Sequence, residues 1–171
     1  TKVEVPIHVL YVSTSKEAVV THPRNLFVIG ESSEVNIVES YVGLADTADY
    51  FTNAVTEISA GDNSTVTCHK IVDEGAQSYH LMTTQIVQGR DCNVKTYNIT
   101  VSGKIVRNEL RVKLAGENGT CDLNGLYLND EDRCIDNALF VEHAVSKCYS
   151  RMAYKGVLDG RSQSVFTGKV I

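Results

Sequence analysis

The 171-residue sequence predicts an all-β fold, a parallel β-helix (β-solenoid) with coils of about 27–31 residues, a period typical of repeat architectures. Three observations carry that prediction. A glycine-centred turn recurs at Gly30, Gly61, Gly89 and Gly116, and near-regular punctuation on this scale is the mark of stacked repeats. Each turn repeats one internal spacing. A small residue stands three positions after the glycine (Ser33, Ser64, Cys92, Gly119), and a further position, apolar in type, follows two later (Val35, Val66, Val94, Cys121). Between the turns the residues favour strands, and both prolines, Pro6 and Pro23, precede the repeats, so no ladder loses a donor to proline.

Taken in order, the first run, residues 26–29, is Leu-Phe-Val-Ile, β-branched and aromatic. The turn at Gly30 follows, where glycine is expected to supply a positive-φ corner and the small residue to let the next coil stack closely. Residues 35–42, 66–72 and 94–101 repeat the strand composition, each after its own turn. Residues 105–114 alternate Ile105, Arg107, Glu109, Arg111 and Lys113 against Val106, Leu110, Val112 and Leu114, a period near two with one slip at Asn108. Residues 136–154 carry Ala138, Leu139, Val141, Ala144, Val145 and Met152, which also suits an amphipathic helix. A fifth turn is due near Ser146, one such period after Gly116, so strand is the reading. Residues 165–171 close the series.

One coil cannot bury its apolar face alone; stacking like coils makes a continuous core. The other all-β reading is a sandwich or barrel, with hairpins at a spacing of roughly 8–12 residues, and Asn-Gly at 118–119 and 124–125 keeps it open.

Composition narrows the function classes. Hydrophobic content of 43% with 22% charged residues belongs to a folded domain, and residues 1–171 read as one domain. A net charge of −5, with no basic cluster among aromatics, excludes recognition of nucleic acid through a basic face. No apolar run is long enough for a membrane span, and Thr1 to Pro6 do not form a signal peptide. Five cysteines, at 68, 92, 121, 134 and 148, give an odd count without a Cys-x-x-Cys pair, unlike a secreted disulfide framework. The Asn-x-Thr triplets at Asn63, Asn98 and Asn118 read as polar turns. A cytoplasmic location is expected.

Blocks spread along the chain carry a resemblance. They include Pro6-Ile7-His8-Val9-Leu10, His22-Pro23-Arg24-Asn25-Leu26, Val38-Glu39-Ser40-Tyr41-Val42 and Tyr50-Phe51-Thr52-Asn53-Ala54-Val55-Thr56-Glu57-Ile58. Further on stand Arg107-Asn108, Leu114-Ala115-Gly116-Glu117, Leu123-Asn124-Gly125-Leu126-Tyr127-Leu128, Asp136-Asn137 and Glu142-His143. The last are Tyr154-Lys155-Gly156-Val157-Leu158-Asp159-Gly160 and Val165-Phe166-Thr167-Gly168-Lys169. In this order they resemble the SufB/SufD core family, and the block from Thr52 to Glu57 resembles its SufD side. The resemblance implies a right-handed parallel β-helix without catalytic activity. It also implies a scaffold subunit of an iron–sulfur cluster assembly complex, paired with a SufB-like subunit and a SufC-like ATPase. Cys134 stands where the family has His, and Ala138-Leu139 where it has His-Thr. The family's N-terminal helical region, its C-terminal SufC-docking part and a later histidine linked to cluster assembly have no counterpart in this sequence. The chain is therefore expected to be a partial core.

No catalytic residues are assigned. The local metal candidates are Cys121, His143 and Cys148, which with Cys134 fall in one short window; thiolate and imidazole suit iron or an iron–sulfur cluster. Cys121 and Cys148 stand one expected period apart, which predicts that they stack on adjacent coils, while core packing is the competing reading for every cysteine here. A cluster is expected only at the level of the complex. Cys148 near His143 lacks a third orienting group for nucleophilic catalysis. His69 and His80 are read as surface residues, and Asp130-Glu131-Asp132 as a solvated loop. The alternative function is a glycan-processing β-helix enzyme, a polysaccharide lyase or hydrolase, using Arg107, Arg111 and Lys113 on one strand face with Asp62 and Asp91 at turns. Finally, the apolar run 165–171 predicts self-association through open coil ends.

Overall fold

The computed structural model describes residues 1–44 and 49–171. Its strands are β1 (Ile7–Ser13), β2 (Val19–Thr21), β3 (Arg24–Ile29), β4 (Glu34–Gly43), β5 (Tyr50–Ala60), β6 (Thr65–Asp73) and β7 (Tyr79–Gln88). They continue with β8 (Asn93–Ser102), β9 (Ile105–Leu114), β10 (Thr120–Asn129), β11 (Cys134–His143), β12 (Tyr149–Leu158) and β13 (Gln163–Val170). All pairing between them is parallel. One sheet runs β1-β4-β6-β8-β10-β12; the other runs β13-β11-β9-β7-β5-β2, with β3 also on β5. Apart from β2 and β3, which share a sheet, successive strands alternate between the two, so the chain winds through six coils as a β-solenoid. A hairpin needs antiparallel neighbours, and the all-parallel pairing of these strands excludes the sandwich and barrel. Residues 134–143 and 149–158 are strands, and the fifth turn falls between them. Among the described residues no helix is long and apolar enough to cross a membrane.

Register explains the sequence period. Glu34 pairs with Thr65, Thr65 with Asn93, Asn93 with Thr120 and Thr120 with Tyr149. Strand length is nearly constant from β4 onward while the connections vary. The inward rows of the first sheet are Val35–Val66–Val94–Cys121, Ile37–Cys68–Thr96–Leu123, Glu39–Lys70–Asn98–Gly125 and Tyr41–Val72–Thr100–Tyr127.

The recurring glycine serves a different purpose from the one its conformation suggested. The positive φ sits two positions later, on Ser32 (51°), Asn63 (55°), Asp91 (54°) and Asn118 (60°), largely of the short polar kind that enters this region most readily. Glycine is required because the preceding coil lies against it. A Cβ on Gly61 would stand 2.9 Å from the Glu31 nitrogen, and one on Gly116 would overlap the Arg90 backbone. At Gly30 the same atom would meet only Ser33 Oγ, at 3.8 Å.

The core divides in two. Val35, Val66, Val94, Cys121, Ile58, Ile86, Leu110 and their neighbours pack at the glycine-turn end. Tyr41, Ala54, Val72, Met82, Val106 and Ile135 pack toward the opposite corner. Asn108 is buried on the same phase as Val106 and Leu110, so β9 alternates without a slip. Its amide donates to Asn137 Oδ1 (3.1 Å) and Thr100 Oγ1 (3.3 Å).

Candidate functional site

Polar side chains run through the solenoid interior between the two apolar clusters. Their phase is unexpected: Glu39 falls in step with Val35, Ile37 and Tyr41, and Lys70 in step with Val66, Cys68 and Val72. Strand geometry therefore carries both charges inside. Glu39 Oε1 accepts from Asn25 Nδ2 and Thr56 Oγ1, each at 2.7 Å. Its Oε2 lies 3.0 Å from Lys70 Nζ, which also donates to Thr84 Oγ1 at 2.7 Å. A buried ion pair offsets its desolvation only when further hydrogen bonds satisfy it, and the two threonines and the asparagine meet that condition.

A second buried carboxylate stands just past the end of β6. Glu74 faces His80 Nδ1 at 3.0 Å and accepts from Thr52 Oγ1 at 3.2 Å. Tyr41 is stacked on Tyr11 (ring centroids 4.6 Å apart) and meets His80 edge-on at 4.7 Å. Burial, followed by the charge of Glu39, raises the Tyr41 phenol, so it stays a neutral hydroxyl. The polar row resumes at Asn98, whose amide donates to the Tyr154 hydroxyl at 3.0 Å. The Tyr154 ring reaches it by lying in the space a side chain at Gly125 would fill. Sequence reasoning missed Glu39, Lys70, Glu74 and His80 as a group. The apolar phase on which Glu39 and Lys70 fall was the signal that would have found the ion pair.

The expected metal candidates stand elsewhere. Cys121 is fully buried and pairs in register with Val94 and Ser150, not with Cys148, because the coil there is longer than the assumed spacing. Burial, with the charge of Asp122, pushes its thiol up to about 12, which opposes the thiolate that binds metal. Cys148 lies in the fifth turn, with its thiol on the Gly116 carbonyl at 3.4 Å. His143 ends β11 and meets Ser150 Oγ through Nε2 at 2.9 Å. Cys134 begins β11 in register with Ile105 and Gln163, in the other sheet from Cys121. Among the described residues no three His, Cys, Asp or Glu side chains gather as a metal site.

Other expectations resolve similarly. His80 is 0% exposed rather than at the surface, because it shares the inward phase of Met82, Thr84 and Ile86 in β7. His69 does lie outward, stacked on Tyr97 at 5.0 Å. Asp130, Glu131 and Asp132 form an exposed turn. Arg107, Arg111 and Lys113 share the outer face of β9, yet each is paired: Arg107 with Asp136, Arg111 with Glu109 (2.6 Å) and Lys113 with Glu142 (2.9 Å). That neutralised row does not offer the open basic face an acidic sugar would need.

Comparison with known proteins places this geometry. Residues 11–171 match the family described as SUF system FeS cluster assembly, SufBD core domain. Iron-sulfur cluster assembly protein SufD of Escherichia coli is 24% identical over 164 residues, covering 96% of this chain and 38% of its own length. A SufBD family protein of Synechocystis is 27% identical over 185 residues, covering all of this chain and 40% of its own length. Protein ABCI7, chloroplastic, of Arabidopsis thaliana is 26% identical over 178 residues, with coverages of 99% and 37%. The chain thus spans about two fifths of the length of the relatives it matches. Six stacked parallel coils and a family match across residues 11–171 lead to one assignment: the chain belongs to the SufBD core domain family.

Proposed function

We propose that this chain is the β-helical scaffold part of an iron–sulfur cluster assembly subunit of the SufD kind, working in the cytoplasm without catalytic residues of its own. The observation that carries this reading is the family match over residues 11–171, together with the named role of the relatives in iron–sulfur cluster assembly. Its partners are a SufB-like subunit and a SufC-like ATPase, and the cluster is cargo of the assembled complex. A scaffold role suits an interior in which Glu39 and Lys70 are consumed by each other and a Cys121 thiol held in its protonated form by burial.

Affinity capture from the native lysate tests the reading. SufB-like and SufC-like subunits are the expected companions. Capture that returns neither, or measurable cleavage of polygalacturonate by the purified chain, overturns it.

A further inference from the structure

The two carboxylates of the interior are neutralised in different ways. Glu39 has an ammonium group at 3.0 Å, plus Asn25 and Thr56 as donors. Glu74, only 4% exposed, has a threonine and an imidazole. The Glu74 carboxylate thus has a ring nitrogen at 3.0 Å where Glu39 has an ammonium group at the same distance. An isolated buried charge is costly, and Lys70 serves only the other centre.

Glu74 also borders a cavity of about 240 Å³, set between β1, the β2–β3 corner and the coils behind them. Its polar wall is Tyr11, Ser13, Thr21, Tyr41, Thr52 and Glu74. The Tyr41 hydroxyl belongs to a fully buried residue and makes no well-formed hydrogen bond among the described residues, Glu39 acting on it chiefly through its charge. Thr21 Oγ1 donates to Thr52 Oγ1 at 3.5 Å, and Thr52 donates on to Glu74. The hydroxyl protons therefore point along the wall toward the carboxylate, and the lone pairs of Thr21 are left for the cavity.

We propose that this cavity is a binding site for one monovalent inorganic cation of the sodium or potassium class, held by Glu74 with the oxygens of Thr21 and Tyr41. Among the described residues the donors are a single carboxylate and neutral hydroxyls, all hard oxygen, and no thiol or imidazole lines the space. Such a set suits a hard cation and not a thiophilic metal. One carboxylate balances a single positive charge. The volume is several times the ~30 Å³ share of a water molecule, so the ion retains part of its hydration. One of those waters accepts the Tyr41 proton.

The thermal unfolding midpoint of the whole chain in potassium, sodium and choline chloride, at one fixed ionic strength, tests this. The expected result is a saturable rise in potassium or sodium, about 3–5 °C at ten times Kd, with no rise in choline. Glu74→Gln and Thr21→Val should each abolish the response, while Glu57→Gln on the exposed face of β5 keeps it. If Glu74→Gln does not fold, Thr21→Val decides. Equal midpoints in all three salts would overturn the proposal. It fails too if the response persists undiminished in a folded Glu74→Gln chain, or in Thr21→Val where the first variant is unfolded.

Discussion

The ammonium group of Lys70 lies 3.0 Å from the carboxylate of Glu39, with the two side chains only 5% and 4% exposed. Removing one partner strands the other charge in the core, which typically costs about 3–5 kcal/mol. Lys70→Met should therefore lose stability on that scale in urea unfolding. Glu39→Gln combined with Lys70→Met should recover most of it, since no ion then remains unpaired. A double variant as unstable as the single one would show that Lys70 matters through its packing instead.

The turn glycines are expected to differ sharply in tolerance. Gly116→Ala forces a methyl into the Arg90 backbone and should cost about 1–3 kcal/mol as overpacking does. Gly30→Ala meets only Ser33 Oγ at 3.8 Å and should stay within about 0.5 kcal/mol of wild type. Denaturant midpoints of the two variants, side by side, make the comparison.

Thiol labelling separates the cysteines by burial. Cys134 and Cys148 are partly exposed, whereas Cys92 and Cys121 are buried. An aromatic disulfide reagent should titrate the first two in the native protein. It should reach Cys92 and Cys121 only as fast as the chain opens, and rapid native labelling of Cys121 would contradict the register assigned to β10.

Stability should fall in alkali. Burial moves the Cys121 thiol from its ordinary 9.0 up to about 12, so above pH 9 the unfolded chain releases a proton that the folded chain holds. Linkage then favours unfolding as pH rises from 9 toward 12, by at most about 1.4 kcal/mol per pH unit for one group. The stabilisation is complete below pH 9. Cys121→Val continues the Val35–Val66–Val94 row and should fold with a shallower alkaline decline in its urea midpoint.

Much of the coil path was legible in the sequence because the turns constrain residue type so tightly. Gly61, Gly89 and Gly116 are forced by backbone lying within a Cβ radius, and the residues two positions on by a positive φ. Position and period therefore survived translation into structure, although the reason for the glycine did not: a clash with another coil looks identical, in one sequence, to a preference for unusual dihedrals. The interior was harder. Charged and amide residues in an alternating strand are ordinarily assigned outward, which misplaced His80 and made Asn108 look like a fault in the pattern. Their burial depends on partners in other strands, such as Thr84 for Lys70 and Asn137 for Asn108, and spacing alone does not name such partners. Cys121 and Cys148 fall two residues out of register, Cys121 pairing with Ser150, because the connection lengths change from coil to coil, although both pack in the same apolar cluster.

Those connections have a wider meaning. Strands β7 to β12 share one length, while the links between the sheets include both the short pair Gly103-Lys104 and the longer stretch 74–78. Over β7 to β12 length variation is thus confined to the corners, where an added or lost residue leaves every side chain on its own side of the wall. The corner between β8 and β9 is accordingly a natural port for grafting: a peptide inserted after Gly103 would be displayed on the outside of the column, with the ladder above and below it acting as an unchanged ruler.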